Sequence, residues 1–294
     1  ASQVELEKAM KLKRIKKHSF IQDFSVHLET DFEKCLFESA LRNYCSMSNP
    51  IRFNNFAFAM RELLQHVLTR KAPEDKVVKC VWFRPDANND GHPTRRQQLK
   101  YCMQAGLQDN LLSDEIKDDI NTLINQYNEH ITDLNGYTHI SETTYGETPQ
   151  ESYRKLKSVI STFNEAMEII EQGKSEVLAY VPDRLGDFVE REITSEIPQA
   201  LDELSSHTFI EDVQLDGFQV DSIDHEFVYI TGSSTVYVTL NYGSNSDRQQ
   251  GNGHSMNDNF PVSFKCKAKA NNPKRAFVIR ESINVSNASW YGEA

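Results

Sequence analysis

At 294 residues the chain is long for one hydrophobic core and fits two domains. Its 38% hydrophobic and 26% charged composition reads as soluble and globular, and no run approaches the ~20 apolar residues of a membrane span. The five cysteines form no C-x-x-C pair, which argues against a disulfide framework or a zinc site, and the net charge of −11 is concentrated rather than spread. From Glu192 to Asp247 there are 11 acidic residues and no Lys or Arg, so the rest of the chain is balanced. This predicts a helical half that tolerates a polyanion, and an acidic remainder that is either a solvated surface or a region that repels nucleic acid or recruits a basic partner.

The start, ASQVELEKAM, reads as a charged helix rather than a signal peptide, so a cytoplasmic protein without a membrane partner is expected. Residues 1–20 form a basic helical arm in this reading. Thr30 and Asp31 then open a helical pattern through Phe32, Leu36, Phe37, Ala40, Leu41 and Tyr44, which the Asn49-Pro50 break ends. Between Phe53 and Thr69, the apolar residues Phe53, Phe56, Met60, Leu63, Leu64, Val67 and Leu68 recur at three- and four-residue steps. That spacing makes a helix with one broad buried stripe, with Asn54 and Asn55 near its start and Lys71, Ala72 and Pro73 at its stop. Further helical patterns cover Leu111 to Ile131, with Leu112, Ile116, Ile120, Leu123, Ile124 and Tyr127 on its apolar side, and Gln150 to Gln172, the second with Gly173 as its stop.

A helical connector over 176–206, containing Pro182 and Pro198, separates a helical domain over 21–175 from a β-rich domain over 207–294. In the last part the period becomes two, as in Val236, Val238, Leu240 and Tyr242, or Phe260, Val262, Phe264 and Cys266. About six short strands, among them Phe209 to Leu215, Phe218 to Ile223 and Phe227 to Ile230, fit an antiparallel sandwich or small barrel, giving an α+β fold. The stretch Gly243 to Asn259 is too long for a hairpin turn and reads as a ligand or partner loop.

Two places carry candidate chemistry. Arg61 and His66 lie on the organising helix: a guanidinium can hold a phosphate by two hydrogen bonds, and an imidazole can move a proton near neutral pH. Five residues apart, they are rotated by about 140° on an ideal helix, so convergence needs a kink, a helix end or a second subunit. The other place is the loop from Arg84 to Pro93 and the helix opened by Thr94, where His92, Arg95 and Arg96 sit at an anion-favouring N-terminus. Arg95 and Arg96 either clamp phosphates there or pair with carboxylates of the following helices. The same loop imitates a calcium site through Asp86, Asn88, Asp90 and Gly91, but Gln97 stands where a bidentate Glu is needed. No cofactor is called for.

The run FAFAMRELLQHVLTRKAPEDKVVKCVWF, followed by TRRQQLKYCMQAGL, resembles the predicted nucleases associated with prokaryotic PIWI (pPIWI) proteins, found in defence contexts. The strand-rich STVYVTLNYGSNSDRQQGNGHSMNDNFPVSF resembles their C-terminal part. Arg61-Glu-Leu-Leu-Gln-His66 matches the Arg/His signature of HEPN ribonucleases, and the helical half resembles a HEPN bundle. Glu62 departs from the Asn, Asp or His usual after that Arg; a longer acid there either orients Arg61 or His66 or marks altered activity. The resemblance implies a homodimer with a composite cleft. In it His66 transfers protons, Arg61 stabilises phosphate charge and RNA is cut to a 2′,3′-cyclic phosphate without a metal, in antiviral defence. The competing expectation is a non-catalytic dimeric sensor whose β domain recognises a phage or regulatory ligand, or another defence protein.

Overall fold

A computed structural model describes residues 3–140, 145, 148–202, 208–242 and 254–286. By their contacts the residues form two units: 1–78, 84–103 and 114–175 in one, and 79–83, 104–113 and 176–294 in the other. No described helix is long and apolar enough to cross a membrane.

The first unit is helical. Its helices are α1 (Gln3–Ile15), α2 (Ser19–Ser25), α3 (Asp31–Tyr44), α4 (Arg52–Lys71), the short α5 (Glu74–Val77), α6 (Arg95–Gln104), α7 (Asp114–Thr138) and the first half of α8 (Pro149–Asp202). The expected basic arm is one helix and the start of a second, and Lys16 is paired with Glu38 of α3 at 2.5 Å. Thr30 and Glu33 form a reciprocal capping box at the start of α3.

All seven apolar residues expected on the organising helix α4 are buried. That face packs on α3 and α7. Asn54 does not cap α4. It is buried, and its amide donates to the Tyr137 and His139 carbonyls at 3.2 and 3.0 Å, satisfying the end of α7.

The helix expected to stop at Gly173 continues to Asp202. A Cβ at Gly173 would lie 2.6 Å from Met103 Sδ, so this glycine permits a close approach rather than ending the helix. Beyond it, Val177, Val181, Leu185, Val189, Ile193 and Ile197 are all buried at four-residue steps. A proline inside a helix costs about 3 kcal/mol, whereas each such buried side chain contributes about 1.5–3 kcal/mol. Burial of that ladder outweighs Pro182 and Pro198.

The second unit contains one antiparallel sheet in the order β1 (Thr208–Ile223), β2 (Phe227–Tyr242), β3 (His254–Lys269) and β4 (Asn272–Val278), with β5 (Asn284–Val285) also on β3. The α+β class is as expected, but the sandwich or small barrel is not: the described strands form a single open sheet, and three of them are 16 residues long. The expected breaks near Asp216 and Gly232 are continuous strand. Phe218 pairs with Gly232, and the Phe264 ring takes the space where a Gly232 Cβ would sit, 2.5 Å from Cζ. Of the expected loop, residues 254–259 belong to β3, and 243–253 lie outside the described residues.

One face of the sheet buries Val228, Ile230, Val236, Val262, Phe264, Cys266 and Ala268. The second half of α8 covers it, with Glu196 bonded to Arg280 at 2.9 Å and Arg191 to the Lys274 carbonyl. The segment 104–113 docks at the strand ends through Gly106 N–H to the Asp224 carbonyl (3.0 Å) and Gln108 N–H to the Ala270 carbonyl (3.1 Å). A Cβ at Gly106 would stand 2.3 Å from the His225 carbonyl oxygen, a backbone atom that cannot swing aside. Gly106→Ala is therefore expected to destabilise the second unit by about 1–3 kcal/mol. Urea unfolding followed by Trp82 fluorescence checks this, since the Trp82 indole is bonded to the neighbouring Ala105 carbonyl at 2.8 Å; an unchanged midpoint would rule out the close approach.

Candidate active site

The solvent side of α4 carries Phe58, Arg61, Glu62, Gln65 and His66, none of them buried, back to back with the apolar stripe. Arg61, Glu62, Leu64 and Gln65 line a cleft of about 90 Å³ together with Arg95 of α6 and Tyr127 and Ile131 of α7. Two of the sequence candidates, Arg61 and Arg95, thus meet although 34 positions apart. Arg61 is already engaged: its Nε and Nη2 donate to Glu62 Oε1 at 3.2 and 2.9 Å, and its guanidinium lies 5.0 Å from the centre of the exposed Phe58 ring. Arg95 makes no hydrogen bond or ion pair with a described residue and is exposed. Burial pushes the Tyr127 hydroxyl pKa up, against the opposing effect of Arg95, so the phenol stays a neutral donor beside two cations.

His66 lies outside this cleft. It is exposed, and its ring meets the edge of Phe32 at 4.8 Å, itself 57% exposed at the start of α3. Within one chain Arg61 and His66 keep separate partners, in line with the 140° rotation. Glu62 holds Arg61 and has no bond to His66 among the described residues.

The second group is dispersed. Arg96 donates through Nη2 to Asn121 Oδ1 (2.6 Å) and through Nη1 to Asn125 Oδ1 (3.2 Å), two α7 amides one helical turn apart. It pairs with amides rather than with the expected carboxylates. His92 Nδ1 lies 2.6 Å from Glu74 Oε1, and that hydrogen bond raises the imidazole pKa. Gln97 forms a capping box with Thr94 and donates to the Arg84 carbonyl at 2.6 Å. The residue at the last calcium-ligand position is thus committed to starting α6. No group of three or more His, Cys, Asp or Glu suited to a metal occurs among the described residues.

Sequence reasoning missed Gln65, Tyr127 and Ile131 as cleft residues. Gln65 lay in plain view between Arg61 and His66, whereas Tyr127 was legible only as part of the α7 apolar stripe.

Two family models, each described as a predicted pPIWI-associating nuclease, match residues 25–163 and 170–291. The chain belongs to this family. The first match spans the α4 cleft, and the second takes in the whole described sheet. No curated protein and no solved structure matches the chain.

Proposed function

We propose that this pPIWI-associating nuclease is a metal-independent endoribonuclease effector, working in antiviral defence beside a pPIWI protein. In this reading two copies pair through the exposed face of α4, and His66 of one copy completes the Arg61 and Arg95 cleft of the other. The observation that carries it is the cleft itself: two guanidinium groups beside a neutral phenol, with an exposed imidazole on the same helix. The His66 imidazole that enters the cleft takes the proton of a ribose 2′-hydroxyl as that oxygen attacks phosphorus. The 5′-oxygen leaves with a proton from water, and a 2′,3′-cyclic phosphate remains. Arg61 and Arg95 stabilise the charge gathering on the non-bridging oxygens, worth roughly 10²- to 10³-fold for a well-placed donor. For Arg61 to do so, Glu62 must yield one of its hydrogen bonds or act as the group that orients it.

The Arg61–Glu62 pair favours a second reading, since both chemical groups are satisfied without substrate: α4 dimerises a sensor that does not cleave. End-labelled RNA incubated in EDTA separates the two, with cyclic-phosphate products expected for a nuclease and intact RNA from a dimeric protein supporting the sensor.

A substitution pair tests which arginine meets phosphate. Arg95→Gln is expected to weaken RNA binding and flatten its salt dependence by about 0.7 in log–log slope, the value for one lost single-strand contact. Arg96→Gln is expected to leave the slope unchanged, because its guanidinium is held by Asn121 and Asn125. Equal slopes in both variants would remove Arg95 from the substrate path.

A further inference from the structure

Counting charge along the chain sets the β-rich half against a polyanion, but the strands sort that charge in space. Six acids lie on β1 and the turn into β2 and Asp258 near the start of β3, whereas Lys265, Lys267 and Lys269 alternate along the other end of β3 with the buried Phe264, Cys266 and Ala268. The three lysines therefore share the face away from α8. Register places aromatics around them: Tyr229, Lys267 and Phe277 form one row across β2, β3 and β4, and Phe227 stands opposite Lys269.

These side chains make one lattice. Lys267 Nζ lies 5.1 Å from the Tyr229 ring centre and 5.4 Å from that of Phe227, Lys269 Nζ lies 4.2 Å from Phe227, and Phe227 and Phe277 meet edge to face at 5.9 Å. Phe277 is 40% exposed, and Phe227 and Tyr229 are half-buried. The nearby acids have donors of their own. Asp224 accepts from the Tyr229 hydroxyl and two backbone N–H groups, Asp221 from Thr231, and Glu226 from Lys269. Lys79, Lys265, Lys267, Lys274 and Arg275 make no ion pair among the described residues.

A cleft of about 600 Å³ adjoins the lattice and shares Lys269 with it, lined also by Lys79, Arg275, Asn271, Asn272, His225 and by Glu226, which is paired with Lys269. Its volume is in the range that holds a small-molecule ligand, roughly 300–1,000 Å³. The His225 Nδ1 is buried with no partner among the described residues.

We infer that this face of the sheet binds a single-stranded nucleic acid. The lysines track successive phosphates along β3, bases stack on Phe277, Phe227 and Tyr229, and the adjoining cleft takes one nucleotide between Lys79, Arg275 and the two asparagine amides. Exposed rings spaced among cations suit unstacked bases, because a duplex keeps its base faces covered. The acids of β1 confine the strand to the β3–β4 side. Binding here gives the family a second nucleic-acid site, separate from the α4 cleft, and does not depend on cleavage.

The test is fluorescence anisotropy on the full chain carrying His66→Ala, in EDTA, with labelled oligouridylate, oligothymidylate and a duplex of the same length. Lys267→Gln with Lys269→Gln is expected to weaken single-strand binding at least tenfold and to lower the log–log salt slope by about 1.4, two contacts at ~0.7 each. Phe277→Leu, which keeps an apolar side chain, is expected to weaken binding about 5- to 100-fold without changing the slope. Tighter RNA than DNA binding assigns the site to RNA through the 2′-hydroxyl, and equal binding assigns it to either strand. The inference is overturned if the duplex binds as tightly as the single strands, or if these variants, shown folded by circular dichroism, bind as before while Arg95→Gln abolishes binding.

Discussion

His66→Ala is expected to lower RNA cleavage by at least ~10²-fold, equivalent to about 2.7 kcal/mol of lost transition-state stabilisation. Its melting temperature should barely move, because the ring is exposed and touches only the edge of the exposed Phe32. Loss of activity without loss of stability separates a proton-transfer group from a packed helix residue. A site shared between two copies, as proposed, has its own signature. Arg61→Ala and His66→Ala chains, each inactive alone, should regain activity when unfolded and refolded together. Random pairing makes half the dimers mixed, each with one intact Arg61–His66 site of two, so about a quarter of wild-type activity should return. Full inactivity of the mixture would place both groups on one chain, against the separation of Arg61 from His66 on α4. Undiminished cleavage by His66→Ala would remove the imidazole from the reaction.

How much of this was legible depends on how local the deciding force is. The α4 stripe and the Thr30 cap are set by 3.6-residue spacing and by a side chain reaching its own backbone, so the residues alone announce them. The continuation of α8 was written in the four-residue ladder from Val177 to Ile197, but Gly173, Pro182 and Pro198 are stronger local signals of an end. Only the surface that buries the ladder decides between them. The long strands were cut in the same way at Asp216 and Gly232, where the Phe264 ring occupies the glycine's empty side. At the α4 site the types of residue were readable and their meeting was not. Arg95 lines the same cleft as Arg61, a tertiary fact, while Arg96, its neighbour in sequence, turns to α7 amides. The lysine-aromatic face shows the cost of averaging: Lys265, Lys267 and Lys269 at period two were visible beside buried residues, yet counting charge over a whole segment hid them.

Arg70→Ala is expected to be among the most damaging changes to the helical unit, costing about 3–5 kcal/mol at neutral pH, because it strands a buried carboxylate. The Glu33 side chain is only 3% exposed. Arg70 Nε donates to its Oε1 at 2.7 Å, while Oε2 accepts the Glu29 and Thr30 backbone N–H groups at 2.9 and 3.2 Å. Arg70 also pairs with Glu29 and donates to the His27 carbonyl, tying α4 to the turn that starts α3. Burial pushes the Glu33 pKa up, but the bonds from Arg70 and the two backbone N–H groups more than offset it, and the net shift is downward. A carboxylate with a depressed folded-state pKa contributes stability that is fully present above its unfolded value, about 4.3. That contribution fades as pH falls through the folded value, so the gap between wild type and Arg70→Ala should be constant near neutrality and narrow below about pH 4. Adding Glu33→Gln to Arg70→Ala should restore part of the loss. An uncharged amide oxygen still accepts from the Thr30 N–H and leaves no buried charge. Denaturant unfolding of the two single variants and the double, at pH 7 and pH 3.5, gives the cycle. A loss below about 1 kcal/mol at pH 7 would make this an ordinary surface pair. Because the same network fixes the first turn of α3, it also sets where Phe32 stands against His66.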